Sequence, residues 1–230
     1  MKLLAFETAT EACSVALWLD GEVRERFEIA PRRHAELALP WADALLAEAG
    51  IAKSQLDGIA VGRGPGAFTG VRLAIAIAQG IALALDKPVV AVSTLQALAM
   101  QSQGDRIAAA IDARMGEIYL GTFARGVSGE LRAVEAEVVV KPDVAAIPED
   151  SWDGVGTGFA AVEGRLRRHL QSQLRTVDAT ALPHAADIAR LAAQAFARGE
   201  ALAPEKLEPA YLRNQVALTL VQQQALRDSR

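Results

Sequence analysis

Apolar and polar positions alternate in three short runs at the start of the chain. Leu3 to Phe6 is apolar throughout, Cys13 to Leu19 is a second apolar run, and residues 22–29 alternate charged and apolar side chains. Asp20-Gly21, between the last two runs, is a strong hairpin turn signal. The pattern predicts a three-stranded β-meander.

A helical period follows the meander. Ala35 to Ala49 is predicted to be a helix that ends at Gly50, with Leu37, Trp41 and Leu45 on one stripe. The same reasoning along the rest of the chain predicts strands at 56–61, 88–92, 107–111, 117–123, 134–140 and 152–158, and helices at 71–85, 93–100, 161–170, 185–197 and 208–226.

The most informative stretch is GRGPGAFTGVRLAIAIAQGIA, at residues 62–82. Its glycines allow left-handed and tightly turned backbone that residues with a Cβ avoid. The helix predicted after them, starting near Gly70 or Val71, has few polar side chains, notably Arg72 and Gln79. An ordinary surface helix has a polar face, so this helix is expected to be covered on most sides.

The order of patterns in the second half of the chain repeats that of the first. In both halves an apolar strand, an acidic turn and a hairpin precede a glycine turn and a helix. Gly104-Asp105 marks the predicted boundary between an N-terminal lobe at 1–103 and a C-terminal lobe at 104–230, whose last helix is expected to pack back on the first lobe. The predicted architecture is two related α/β lobes with a cleft between them.

Composition limits the class of protein. The chain has 230 residues, 51% of them hydrophobic, and a net charge of −4, which does not favour strong RNA binding by this chain alone. Cys13 is the only cysteine, so there is no disulfide framework. Glu7 comes too early for a signal-peptide core, and the apolar run at 73–85 is shorter than the roughly 20 residues of a bilayer span. We therefore expect a cytoplasmic protein without a membrane partner.

Two segments carry the candidate ligand-binding residues. Acidic and hydroxyl side chains after the first strand can hold a phosphate–Mg²⁺ group, and a glycine loop at a helix start favours an anion. The alternative is a turn whose hydroxyls satisfy backbone groups, beside a loop that positions the helix. No Gly-Lys-Ser/Thr follows the loop, so it is not a Walker A motif. The candidate nucleotide or anion site is Glu7, Thr8, Thr10, Gly64, Gly66, Thr69 and Gly70.

Other chemistry-bearing residues favour structural roles. Asp112 and Arg114 flank a predicted hairpin turn, where an ion pair or turn stabiliser is favoured over an acid, base or metal ligand. His34, His169 and His184 lack the spacing of a helical metal site, so no metal centre is expected. No nucleophile motif such as Gly-x-Ser-x-Gly is present, so no catalytic residue is predicted.

The apolar helices need a surface that covers them. One side of residues 71–85 is expected to pack on its own sheet, and the other to pair with the helix at 35–49 and with helices of a partner. A charge at Ala78 or Leu45 is expected to abolish this pairing in a chain that still folds. The predicted interface is Leu37, Trp41, Leu45, Arg72, Ile75, Ala78 and Gln79.

Several blocks of the chain together resemble one bacterial family. They are MKLLAFETATEACSVALW, GRGPGAFTGVRLAIAIAQGIA, VSTLQALA, AAIDARMGEIY and AYLRNQVA. The chain resembles the TsaB (YeaZ) family of tRNA threonylcarbamoyladenosine biosynthesis proteins over nearly its whole length. The resemblance implies a two-lobed actin-like ATPase fold (ASKHA, ribonuclease H-like), with mixed sheets flanked by helices.

The resemblance also implies a function and partners. It implies a non-catalytic scaffold or activator that acts with the catalytic subunit TsaD and the ATPase TsaE. Together they attach threonylcarbamoyl to N6 of the adenosine beside the anticodon, in tRNAs that read codons starting with A. The helices at about 35–49 and 71–85 would pair with those of TsaD, or with a second copy of this chain when TsaD is absent. The complex would reach tRNA, and ATP or ADP at its interface is the only cofactor the resemblance allows.

One position departs from the family pattern. The family commonly has Asp in the first turn where this chain has Glu7, which weakens the case for a metal–nucleotide role of that carboxylate. An alternative from another class is an ATP-binding small-molecule kinase or hydrolase that uses the interlobe cleft. A peptidase is a third alternative, with no zinc motif or nucleophile constellation in its favour.

Overall fold

Two β-sheets organise residues 1–213, which are the residues that the computed structural model describes. Their strands are β1 Lys2–Glu7, β2 Ala12–Leu19, β3 Glu22–Ile29, β4 Gly58–Gly62, β5 Val89–Val92, β6 Arg106–Arg114, β7 Glu117–Arg125, β8 Leu131–Ala133, β9 Val138–Val140, β10 Trp152–Val155 and β11 Leu174–Asp178. The helices are α1 His34–Glu48, α2 Phe68–Leu85, α3 Thr94–Ala99, α4 Ala161–His169 and α5 Ala185–Ala197.

The two sheets have the same strand order, which explains the repeated pattern along the sequence. The first sheet runs β3-β2-β1-β4-β5, and the second runs β8-β7-β6-β10-β11. In each, the first three strands form an antiparallel meander and the last two strands add in parallel. The predicted mixed α/β fold of two related sheets flanked by helices is therefore confirmed.

Helices cover both faces of the first sheet. On one face, α1 and α2 pack on Phe6, Val15 and Val61, together with other apolar side chains of the sheet. On the other face, α5 packs on Leu3, Val90 and their neighbours. Although α5 follows the second sheet in sequence, its core contacts assign it to the first lobe.

Helix α2 has 18 residues and begins at Phe68, two to three residues before the predicted start. By length and composition alone it is apolar enough to cross a membrane, with a mean hydropathy of 1.7. Its inner side is buried on the first sheet through Val71, Ala74 and Ala78. A core helix of a folded lobe passes the same test of length and composition, and the packing of α2 is that of a core helix.

The second half of the chain differs from the prediction in several elements. Only Val138–Val140 of the strand predicted at 134–140 is a strand, β9. Strand β8, which precedes that range, and strand β11 were not predicted. Strand β6 extends through Asp112 to Arg114, so the turn lies at Met115 and Gly116. Residues 208–213 are not helical, and the rest of the helix predicted at 208–226 lies outside the described residues.

Candidate functional site

The glycine loop between β4 and α2 is packed on the turn between β1 and β2. A Cβ on Gly70 would lie 2.0 Å from the carbonyl oxygen of Thr8, and a Cβ on Gly66 would lie 2.5 Å from that of Ala9. The Thr8 hydroxyl donates to the Gly70 carbonyl at 2.7 Å, and the Ala67 N–H donates to the Ala9 carbonyl at 2.7 Å. Backbone lies directly on backbone here, so both positions require glycine, and the contact fixes where α2 starts.

Glu7 lies beneath this loop and is 1% exposed. Its carboxylate accepts hydrogen bonds from the Ala9 N–H at 2.6 Å and from the Thr94 hydroxyl at 2.8 Å. A Cβ on Gly62 would lie 1.9 Å from Oε2 of Glu7, so the glycine provides the space for this carboxylate. Burial raises the pKa of Glu7 to about 7, against the opposing hydrogen bonds from Ala9 and Thr94.

Gly64 belongs to the same internal network. Its N–H donates to the Thr94 hydroxyl at 3.2 Å, and its carbonyl accepts from the Thr94 N–H at 2.9 Å. The φ of Gly64 is +91°, a conformation that residues with a Cβ rarely adopt. Glu7 and Gly64 thus join the loop to the start of α3 inside the first lobe, instead of lining a ligand site.

A cleft of about 850 Å³ lies between the two lobes. Five predicted ligand residues line it: Thr8, Thr10, Gly66, Thr69 and Gly70. The opposite wall is the β6–β7 hairpin at residues 111–115, and residues 209–213 form a further wall. The hydroxyls of Thr8 and Thr10 are already bonded to backbone, the second accepting from the Ala12 N–H at 3.3 Å. The structure thus brings these five residues to one wall of the cleft, and the nucleotide or anion site predicted on them stays a prediction.

Asp112 and Arg114 stabilise the hairpin that faces the cleft. The Asp112 carboxylate accepts from the Arg114 N–H at 2.8 Å and from its guanidinium at 2.9 Å. Arg114 has a φ of +63°, so the aspartate holds a residue in the left-handed region. Within residues 1–213, no group of three or more His, Cys, Asp or Glu side chains is placed to hold a metal ion.

Cys13 is buried in β2, beneath α1. Burial, followed by the charge of Glu28, raises the pKa of its thiol to about 11. The thiolate that would act as a nucleophile is therefore disfavoured, and Cys13 serves as a core residue.

A serine, a glutamate and a histidine meet where α5 begins. Glu25 accepts from the Ser14 hydroxyl at 2.7 Å, from the Ala186 N–H at 3.0 Å, and is 3.0 Å from Nδ1 of His184. The His184 ring also stacks on Phe27, with 4.1 Å between ring centroids. The carboxylate lies between the serine and the histidine, so the histidine cannot take the serine proton as it would in a hydrolase triad. The cluster caps α5.

The protonation of this cap follows from its contacts. The hydrogen bond to Glu25, which outweighs burial, raises the pKa of His184. Burial raises the pKa of Glu25, but the hydrogen bonds from His184, Ala186 and Ser14 together lower it overall. Both shifts favour the charged forms of His184 and Glu25, so the cap at the N-terminus of α5 has an electrostatic part beside its hydrogen bonds.

The outer side of α2 is exposed and, beyond Thr69 and Arg72 in its first turns, apolar. Phe68 is 51% exposed and Leu83 is 62% exposed. The same side has the small exposed residues Ala76, Gly80 and Ala84, four residues apart. A Cβ on Gly80 would meet nothing within 4 Å. We define the α2 stripe as Phe68, Ala76, Gly80, Leu83 and Ala84.

The predicted interface residues do not all reach this surface. Leu45, Ile75 and Ala78 are buried in the core of this chain, so a charge at Leu45 or Ala78 is expected to unfold it. This corrects the expectation of a folded, non-binding variant at those two positions. Leu37, Trp41 and Gln79 are half-buried and Arg72 is exposed.

Comparison with known proteins identifies the family. A family model described as TsaD, tRNA N6-adenosine threonylcarbamoyltransferase, matches residues 27–219. The chain is 43% identical over 225 residues to the tRNA threonylcarbamoyladenosine biosynthesis protein TsaB of Escherichia coli, covering 94% of this chain and 96% of the relative. The chain belongs to the TsaB family, within the wider family that the TsaD model describes. It is also 38% identical over 229 residues to TsaB of Haemophilus influenzae, covering 94% of this chain and 95% of that relative.

Solved structures extend the TsaB comparison to the fold. Two Pseudomonas aeruginosa structures match with a TM-score of 0.85 and 48% identity, over 92% of this chain and 99% of each of theirs. One is described as YeaZ, and the other as an uncharacterized protein with similarity to peptidase YeaZ. The predicted resemblance to the TsaB family is confirmed, and with it the actin-like fold and a place in tRNA threonylcarbamoyladenosine biosynthesis.

Two features of this TsaB-family chain were not predicted from its sequence: the serine and glutamate that cap α5, and the segment after α5 that lines the cleft. Ser14 was grouped only with the hydroxyls after the first strand, and Glu25 was not singled out, because their defining contacts come from residues 171 and 161 positions later. His184 was considered as a metal ligand, and its spacing did not support that role. The residues after α5 that line the cleft were expected to be helical, and their contacts with α2 left no local signal.

Proposed function

We propose that this chain is a non-catalytic scaffold in tRNA threonylcarbamoyladenosine synthesis and that it binds the catalytic subunit TsaD through the α2 stripe. TsaE completes the assembly, and tRNA is reached through the complex in the cytoplasm. The transfer it supports is that of threonylcarbamoyl to N6 of the adenosine beside the anticodon, in tRNAs that read codons starting with A. Family membership supports the pathway, and the surface of α2 supports the scaffold role.

The α2 stripe carries the proposal. Exposed Phe68 and Leu83 supply apolar area, and the small residues between them let another helix backbone approach closely. Leu39 of α1, which is 49% exposed, adds apolar surface on the neighbouring helix. Two adjacent helices with exposed apolar residues fit a helical partner, which would complete a bundle on this face of the first sheet.

A non-catalytic role is supported by how the candidate acids are already engaged. Glu7 holds the glycine loop to α3, Asp112 holds its own hairpin, and Glu25 caps α5. Each carboxylate has two or more partners inside the chain. The alternative of a small-molecule kinase or hydrolase gains no support from the relatives, which are named for tRNA threonylcarbamoyladenosine biosynthesis.

A charge on the α2 stripe tests the proposal. Leu83→Glu and Gly80→Glu place a carboxylate where the partner helix would pack, and both positions are open in this chain. We expect each to weaken binding to TsaD by about 100-fold or more, because an unpaired charge would be desolvated in the interface. Titration calorimetry with purified TsaD measures the affinity, and the threonylcarbamoyladenosine content of tRNA in complemented cells measures function.

Gln194→Glu is the matched control, since it adds the same charge to the exposed side of α5. It should bind TsaD as the wild type does. If Leu83→Glu also binds and supports modification normally, the α2 stripe is not the contact surface. Sedimentation of the isolated chain tests the second proposed occupant, since the same variants should abolish a homodimer formed when TsaD is absent.

A further inference from the structure

The segment after α5 runs back along the first lobe as a strap, which we define as residues 202–213. Leu202 pairs with Val89 through two backbone hydrogen bonds of 2.7 and 2.8 Å. The Gln79 amide donates to the carbonyls of Pro204 at 2.9 Å and Leu207 at 3.3 Å. Leu207 is buried in the same core cluster as α1 and α2. The first part of the strap is thus fixed firmly to one lobe.

The strap then reaches the side of α2 that faces the cleft. The Ala210 N–H donates to the Arg63 carbonyl at 2.8 Å. The Arg72 guanidinium donates to the Tyr211 hydroxyl at 2.8 and 3.1 Å, and lies 3.6 Å from the centroid of the Phe68 ring. Tyr211 is the last strap residue with a side-chain hydrogen bond to the first lobe.

Two residues later the strap contacts the second lobe. The Arg213 guanidinium donates to the Ala113 carbonyl at 3.2 Å, forms an ion pair with Glu117, and lies 3.6 Å from the Met115 sulfur. All three partners belong to the β6–β7 hairpin, which forms the far wall of the cleft. The strap therefore bridges the cleft between Tyr211 and Arg213.

We propose that Arg213 is a latch that ties the strap across the mouth of the interlobe cleft, so that its docking on the β6–β7 hairpin sets how wide the mouth opens. Away from the mouth the lobes are joined through α3, whose Leu95 and Leu98 pack in one core cluster with Ile107 of the second sheet. The segment on the first lobe is held by core burial and several hydrogen bonds. Within residues 202–213, the side-chain attachment across the cleft is one guanidinium. An ion pair at a partly exposed position is weak and screened, so the bridge is reversible while both lobes stay folded.

This inference stands apart from the proposed scaffold function, since it concerns contacts inside one chain. The position of the strap would then affect the position of the second lobe. With Arg213 docked, residues 209–213 wall the cleft, and with Arg213 released that wall is no longer tied to the hairpin. The opening of the cleft would therefore be narrower with Arg213 docked and wider with Arg213 released.

Interlobe distance is the direct measurement. Spin labels on Ala47→Cys in α1 and Arg167→Cys in α4 report on one lobe each, and both positions are exposed. The native Cys13 is buried and will not take a label. We expect Arg213→Gln to broaden or shift the distance distribution and to raise amide exchange in residues 209–213 and 113–117 by about tenfold. Glu117→Gln should do the same.

Arg132→Gln is the matched control, because it removes an exposed arginine of the second lobe whose ion pair with Glu130 lies apart from the residues that Arg213 contacts. It should leave the interlobe distance unchanged. The charge swap of Arg213→Glu with Glu117→Arg should restore the wild-type distribution. A wild-type distribution in Arg213→Gln would overturn the proposal, and so would global unfolding of that variant, since neither lobe's core needs a latch.

Discussion

Helices α2 and α5 lie on opposite faces of the same sheet and are both built from alanine and aliphatic residues, but their outer sides differ. The outer side of α5 carries Arg190 and Gln194, with Arg198 directly after the helix, so this side faces solvent. The outer side of α2 carries Phe68 and Leu83 around small residues. One helix completes the core of this chain, and the other adds a surface that a second protein can cover.

The two helices are also mounted differently. The start of α2 is fixed by glycines that let the loop lie on the β1–β2 turn, above the buried Glu7. The start of α5 is fixed by Ser14 and Glu25, which accept from the Ala185 and Ala186 N–H groups, and by His184, which pairs with Glu25. Close backbone packing positions α2, and an ion-paired carboxylate caps α5.

The largest effect should come from the inner sides, where the two helices are alike. Ala78→Asp in α2 and Ala192→Asp in α5 each place a carboxylate at a fully buried position. We expect each to lower the free energy of unfolding by about 3–5 kcal/mol, since a buried unpaired charge has no compensating partner. Urea unfolding measures this, and a stable Ala78→Asp protein would mean that the inner side of α2 is not core.

Glu7→Gln tests the mount of α2 through pH. The pKa of Glu7 is raised to about 7 in the folded chain, from an ordinary value of 4.5. Between these values the folded state holds a proton that the unfolded chain releases, so Glu7 reduces stability as pH rises from about 4.5 to 7. The free energy of unfolding of Glu7→Gln, relative to that of the wild type, should therefore rise by up to about 3 kcal/mol between pH 4.5 and pH 8. Urea unfolding at several pH values measures this. If the free energies of unfolding of the wild type and Glu7→Gln change in parallel with pH, the pKa of Glu7 is not raised by burial.

His184→Gln tests the mount of α5. The pKa of His184 is raised from 6.5, so its contribution is full below about 6.5 and is lost as pH rises through the folded value. The pKa of Glu25 is lowered from 4.5, so its contribution is lost as pH falls below that value. The variant should lose about 1 kcal/mol near pH 5.5 and less at pH 8, because the pair is partly solvated. Thermal unfolding at several pH values measures this. If the stability lost by His184→Gln does not depend on pH, His184 contributes through packing and not through its charge.

The smallest expected effect is that of Gly80→Ala, which should change stability and partner binding in opposite directions. Gly80→Ala adds a methyl group to an open helix position, which should raise the free energy of unfolding by about 0.5–1 kcal/mol. The same methyl group occupies the space that a partner backbone would use, so affinity for TsaD should fall. Unfolding and titration on the same preparation measure both, and tighter binding by Gly80→Ala would argue against close helix packing there.

Much of the fold was predictable because it depends on local pattern. The meander and helices α1, α3 and α5 follow from local periodicity. Ser93, directly before α3, accepts from the Leu95 and Gln96 N–H groups, which fixes where that helix starts. That α2 is covered on most sides stays a prediction, since its outer side is exposed in this chain. Strand β11 was missed because Leu174–Asp178 has no apolar run of its own and is defined by pairing with β10.

The sequence predicted which residues lie together at the candidate site, but not the direction in which their side chains point. Glu7 and the glycines do lie together, as the spacing predicted, but Glu7 points into the lobe and Gly62 provides its space. Which side of α2 faces the sheet was also undetermined, since nearly every position on it is apolar. Ala78 was therefore expected at an interface and is buried instead.

By itself, the sequence determined most of the elements in the first lobe, the repeat of two halves and the family, because these depend on local periodicity and on motifs of residue order. Only the tertiary structure decided which side of α2 is open, that α5 returns to the first lobe, and that Arg213 meets Glu117 across the cleft. These outcomes depend on contacts between residues about 100 or more positions apart, or on the facing of a helix with no polar side. Neither leaves a mark in the local pattern of the chain.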